Sequence, residues 1–212
     1  MPASFPPVYA ILDPDIASSP VLALAETLAN AGVSLIQLRD KHSPARRFYE
    51  QASNLAATLA PRGVRFIVND RADIAAMSGA GVHVGQDDLP VEDARKICGP
   101  ARWVGVSTHN LEQLRLADRS SADYIAVGPI FPTGTKENPD PVIGVDFVRV
   151  ARQITRKPIV AIGGITVKGV AEVFHAGADS VAIIRDLITA PDPGARAREY
   201  LVVAERTRAS RD

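Results

Sequence analysis

The stretch Gln37-Leu38-Arg39-Asp40-Lys41 sets an amide and two cations at every second position. In an extended strand successive side chains alternate faces, so Gln37, Arg39 and Lys41 share one face and Ile36 and Leu38 the other. Burying an amide and a guanidinium without partners is costly, so an inward row of this kind calls for a ligand or a polar site. The alternative is a strand end emerging into water; Gln and Arg in series on one face favour the site.

Two further polar groups directly follow apolar runs: Asn69-Asp70-Arg71 and Gly85-Gln86-Asp87-Asp88. Carboxylates on neighbouring strand ends could hold one hard cation through oxygen. Mg²⁺ is the natural choice, because it accepts few protein ligands and takes the rest from water and phosphate. Taken singly, Asp70 or Asp88 is as well explained as a cap on the helix that follows; the pair favours the metal. Ser107 closes Gly105-Val106-Ser107 with no acid or base nearby to make it a nucleophile, and reads as a hydrogen-bond donor. His109 reads as a surface or capping histidine. Cys98 ends Val91–Cys98, whose apolar residues recur at helical spacing, and reads as packing; a single cysteine also rules out an intramolecular disulfide.

The segment Gly128-Pro129-Ile130-Phe131-Pro132-Thr133-Gly134-Thr135-Lys136 is a shaped loop in which Thr133, Thr135 and Lys136 form a compact set of phosphate donors. Loops this long are more often functional than idle. Gly163-Gly164 would let a phosphate approach backbone amides.

These residues need a scaffold that places strand ends side by side. Apolar runs at Val8–Leu12, Ser34–Leu38, Phe66–Val68, Val82–Val84, Trp103–Val106, Tyr124–Val127, Ile159–Ile162 and Val181–Ile184 predict eight strands. Segments with helical spacing, such as Leu22–Ala31, Ala45–Leu59 and Val170–His175, separate them. Strict alternation implies parallel βαβ units, and eight units close into a (β/α)₈ TIM barrel of the α/β class. An open doubly wound sheet also alternates, but its glycine-rich loop after the first strand is replaced here by Asp13-Pro14-Asp15. Ala31-Gly32, Ala80-Gly81 and Ala176-Gly177 are expected as left-handed helix ends. One domain is expected over 1–212, with an N-terminal arm at 1–7 and a frayed polar tail at 206–212.

Hydrophobic residues make up 46% and charged residues 23% of the 212, with 24 Lys and Arg balancing 24 Asp and Glu. Nothing global therefore steers the chain toward nucleic acid or an anionic membrane; an anion must be held by a local cluster. Met1–Pro7 carries neither a basic stretch nor an apolar one, and no apolar run approaches a bilayer span. A soluble cytoplasmic protein is expected.

These stations, in this order from about Tyr9 to the eighth strand, resemble the thiamine phosphate synthase family. The resemblance implies that Gln37, Arg39, Lys41, Asn69, Ser107 and Lys136 bind hydroxymethylpyrimidine diphosphate, with Arg39, Lys41, Ser107 and Lys136 serving catalysis. It implies that Asp70 and Asp88 ligate Mg²⁺ bridging that diphosphate. Thr133, Thr135, Gly164, Ile184 and Arg185 would hold a thiazole phosphate. Arg185 is a departure, since the family commonly has serine there. The implied partners are small phosphorylated substrates, with neither nucleic acid nor membrane, and the sequence leaves a homodimer open. Two rivals remain at this level: a thiazole tautomerase relative on the same barrel, and a non-catalytic sensor of a phosphorylated ligand.

Overall fold

The computed structural model describes residues 5–134 and 140–210. Eight parallel strands close into a barrel in sequence order. They are β1 (Val8–Leu12), β2 (Leu35–Leu38), β3 (Arg65–Asn69), β4 (Gly81–Val84), β5 (Val104–Thr108), β6 (Tyr124–Val127), β7 (Ile159–Ile162) and β8 (Ser180–Ile183). Helices α1 (Val21–Asn30), α2 (Ala45–Leu59), α3 (Ala72–Ser78), α4 (Val91–Cys98), α5 (Leu111–Arg119), α6 (Gly144–Ile154), α7 (Val170–His175), α8 (Arg185–Ile188) and α9 (Pro193–Ala209) follow the strands. The expected fold class stands, and each expected strand is present with its ends shifted by at most two residues.

Alternation along the strands separates two cores. Ala10, Leu12, Ile36 and Leu38 pack outward with the helices. Tyr9, Ile11, Leu35, Ile67, Tyr124 and Val160 fill the barrel itself. Gln37 lies level with Ile11 on β1 and Ile67 on β3, so it belongs to the inner layer, as its spacing predicts. On β5, Gly105 and Ser107 also share the inner face. A Cβ at Gly105 would fall 2.0 Å from the Tyr124 ring, so that ring occupies the space a side chain on β5 would take.

Two expectations need correction. Gly81 does not end a helix but opens β4; the left-handed end of α3 is Gly79, with φ +75°. The α3 chain needs two further residues to reach the strand, which is why the glycine nearest the strand is not the cap. The tail does not begin at 206: α9 continues to Ala209, Thr207 is buried, and the Arg208 guanidinium donates to the Phe5 carbonyl at 2.8 Å. Cys98 is half-buried, with its thiol directed at the Ala72 carbonyl and its pKa raised by burial, in keeping with a packing role. No helix among the described residues is long and apolar enough to cross a membrane.

Candidate active site

The C-terminal ends of the strands surround a cavity of about 480 Å³. Gln37, Arg39, Asn69, Ser107, Thr133 and Gly164 line it, as do Ile184 and Arg185. Lys41, Asp70 and Asp88 stand beside it on the loops that leave β2, β3 and β4. Thr135 and Lys136 lie outside the described residues.

Each side chain is held from below. Arg39 follows β2 and is ion-paired with Asp13, which is only 2% exposed at the end of β1. Asp40 accepts from the backbone N–H groups of His42 (3.1 Å) and Ser43 (2.8 Å), closing the turn that carries Lys41. Lys41 reaches across to pair with Asp70.

Asp70 does not cap a helix. The N-cap of α3 is Arg71, and no side chain caps that helix. Asp70 instead adopts φ +61°, in the left-handed region that Asp tolerates better than most side chains. Asp88 does not cap α4 either; its Oδ2 accepts from the Gly85 N–H at 2.7 Å, folding the loop after β4 back on itself. The Asp88 carboxyl is a near neighbour of Asp70. Burial first, and the neighbouring Asp88 carboxyl second, push the Asp70 carboxyl up to about 6, against the opposing pull of Lys41. Crowded oxygens of this kind fit a divalent cation, which would relieve their repulsion. Among the described residues no group of three or more His, Cys, Asp or Glu side chains could hold a metal, so a cation here must draw most of its ligands from water or substrate. That donor set suits Mg²⁺.

The barrel floor carries groups that the sequence reading did not single out. Tyr9 donates to Gln37 Oε1 at 2.6 Å and meets the Tyr124 hydroxyl at 2.9 Å. His83 Nδ1 lies 3.1 Å from the Tyr124 hydroxyl, and its Nε2 lies 2.8 Å from Ser107 Oγ. Gln37 Nε2 donates to Asn69 Oδ1 at 3.2 Å. Burial, more than any neighbour, holds both phenols above the usual tyrosine range, so they stay protonated. His109, read from sequence as a surface or capping residue, lines the cavity, with Nδ1 2.6 Å from the Gly128 carbonyl oxygen. The signal available for His83 was its inward register between Val82 and Val84.

On the opposite wall, Gly163 and Gly164 adopt φ +99° and +64°. A Cβ at Gly164 would fall 2.4 Å from the Pro132 carbonyl oxygen, so the loop after β6 lies directly over this turn. Glycine is required there for chain-to-chain approach, a reason different from the open amide cradle expected from sequence. Arg185 opens the short helix α8 at the cavity wall, and its guanidinium makes no ion pair among the described residues.

A closed parallel barrel with these groups at the C-terminal ends of its strands defines a TIM-barrel enzyme. The family model for thiamine monophosphate synthase matches residues 8–187. The chain is 50% identical over 204 residues to the thiamine-phosphate synthase of Koribacter versatilis, covering 93% of this chain and 95% of that one. It is 42% identical over 186 residues to the thiamine-phosphate synthase of Shouchella clausii, covering 87% and 89%. The solved thiamine phosphate pyrophosphorylase from Pyrococcus furiosus superposes with a TM-score of 0.86 at 32% identity, covering 95% of this chain and 96% of that one. The chain belongs to the thiamine monophosphate synthase family, and is an enzyme of the transferase class.

Proposed function

We propose that the enzyme joins hydroxymethylpyrimidine diphosphate to a thiazole phosphate, giving thiamine monophosphate and pyrophosphate. The observation that carries this reading is the crowded Asp70–Asp88 pair beside a cavity walled by Gln37, Arg39, Asn69 and Ser107. A diphosphate needs cationic groups on its oxygens, and Arg39 and Lys41 stand ready for them, each now paired with a carboxylate. Lys136 is assigned to the same diphosphate from its place in the Thr133–Lys136 loop. Asp70 and Asp88 would hold Mg²⁺, which supplies Lewis-acid neutralisation of diphosphate charge when bound. Thr133, Thr135, Gly164, Ile184 and Arg185 are assigned to the thiazole phosphate, with Arg185 replacing the serine common in the family.

The chemistry is heterolysis followed by capture. The bond between the pyrimidine methylene carbon and the diphosphate oxygen breaks, and its electron pair leaves with pyrophosphate. The thiazole nitrogen lone pair then bonds to that carbon. Arg39, Lys41 and Lys136 stabilise the departing charge, an electrostatic role that needs no strong base. The inner wall of Ile11, Ala126 and Val160 excludes water that would otherwise capture the cation.

The test is to supply both substrates with Mg²⁺ and identify products by mass spectrometry. Thiamine monophosphate is the expected product. Proton exchange on the thiazole without coupling would indicate a tautomerase, and binding without turnover a sensor.

A further inference from the structure

Six polar side chains form one unbroken series of hydrogen bonds through the barrel, and counting protons gives the series a direction. Tyr9 donates its single hydroxyl proton to Gln37 Oε1. The contact between the two tyrosine hydroxyls must therefore take its proton from Tyr124. With that proton committed, Tyr124 can only accept at His83, which places the imidazole proton on Nδ1. When the ring is neutral Nε2 is then an acceptor, and its contact with Ser107 takes the serine hydroxyl proton. At the far end Gln37 Nε2 donates to Asn69 Oδ1, leaving the Asn69 amide nitrogen directed away from the series. Tyr9, Gln37, Asn69, His83 and Tyr124 are all buried, at the base of the cavity. Turning the Gln37 and Asn69 amides over would reverse every bond. The two directions are discrete alternatives with opposite tautomers of His83.

We propose that His83, Tyr124 and Tyr9 are positioning residues for the transfer reaction, fixing Ser107 as a hydrogen-bond acceptor and Gln37 and Asn69 as donors toward the pyrimidine. The inference rests on the proposed assignment of Gln37, Asn69 and Ser107 to that substrate. An aminopyrimidine presents amine N–H donors beside ring-nitrogen acceptors, so a site with one acceptor end and one donor end matches a single orientation of the ring. Ser107 thereby changes role: the donor expected from sequence becomes an acceptor, because its own proton is committed to His83. Polar groups held in place before the substrate arrives lose little on binding and cost no rearrangement during reaction.

The imidazole ¹⁵N shifts of the substrate-free protein at pH 8 read the direction, with signals assigned by their loss in His83→Gln. The expected spectrum has Nδ1 protonated and Nε2 bare. An Nε2–H tautomer, or an imidazolium at that pH, overturns the proposal. Tyr124→Phe keeps the ring stacked on His83 (centroids 5.5 Å apart) but breaks the series. It should shift the tautomer toward Nε2–H and raise KM for the pyrimidine diphosphate by about 10-fold, leaving KM for the thiazole phosphate within about 2-fold. Tyr9→Phe, one link further along, should give the same split, and serves if Tyr124→Phe does not fold. Equal changes in both KM values, or none, would reduce the tyrosines to ordinary packing and overturn the positioning role. Because the spectrum is recorded without substrate, it remains decisive even if the synthase reading fails.

Discussion

The Lys41 ammonium is paired with the Asp70 carboxylate, whose pKa the neighbouring Asp88 carboxyl raises. A side-chain cation thus already answers part of the charge at the proposed metal site. Removing it with Lys41→Met should tighten Mg²⁺ binding to the substrate-free enzyme while lowering turnover. Lys41 is 42% exposed, so solvent screens the pair and the gain should be small, roughly 3- to 5-fold in Kd. Calorimetric titration with Mg²⁺ reads this. Unchanged affinity would mean that lysine and metal do not compete for Asp70.

Lys136 tests the leaving-group role. If it stabilises charge mainly as pyrophosphate departs, Lys136→Met should lower kcat and kcat/KM together, on the order of 10²-fold. If it holds the substrate equally in ground and transition states, KM rises and kcat is spared. Steady-state kinetics at saturating Mg²⁺, with single-turnover rates to isolate the chemical step, separate the two.

Asp13 is the buried partner of Arg39, with 2% of its side chain exposed against 19% for Arg39. Asp13→Ala leaves that guanidinium without its counter-charge at the cavity wall. The expected cost is roughly 3 kcal/mol in urea denaturation, accompanied by a higher KM for the diphosphate. A stability loss under about 0.5 kcal/mol would mean that the pair is no firmer than a surface ion pair.

Gly105→Ala should be among the most damaging small substitutions in the barrel. Its Cβ would meet the Tyr124 ring at 2.0 Å and the hydroxyl at 2.4 Å. Overpacking of that severity should cost about 3 kcal/mol or more, read as a lower denaturation midpoint. Adding Tyr124→Leu should recover part of the loss, since the two positions share one space.

The outer rim of the site was legible in the sequence, and its floor was not. Gln37, Arg39, Asn69 and Ser107 are polar residues within or just after apolar runs, and such interruptions stand out. Tyr9 and Tyr124 lie inside runs that are buried on both faces, where an aromatic residue reads as core. Their hydroxyls meet only because barrel closure joins residues 115 positions apart. Asp13 was seen only as part of a loop without glycine, since its partner Arg39 is on the next strand's end. The Gly163-Gly164 turn was placed correctly, but its reason lay in the loop crossing above it, a contact that local pattern does not encode. Asp70 and Asp88 could equally have been caps on local grounds; their geometry removes that alternative.

The central claim is a metal-assisted coupling, and its most direct test is stoichiometry. Thiamine monophosphate and pyrophosphate should be measured together over time, with Mg²⁺ present, after removal by EDTA, and after Mg²⁺ is restored. Equal amounts of both products with Mg²⁺, neither without it, and full recovery on restoration is the predicted result. Undiminished coupling in EDTA, or pyrophosphate released without thiamine monophosphate, would contradict the account.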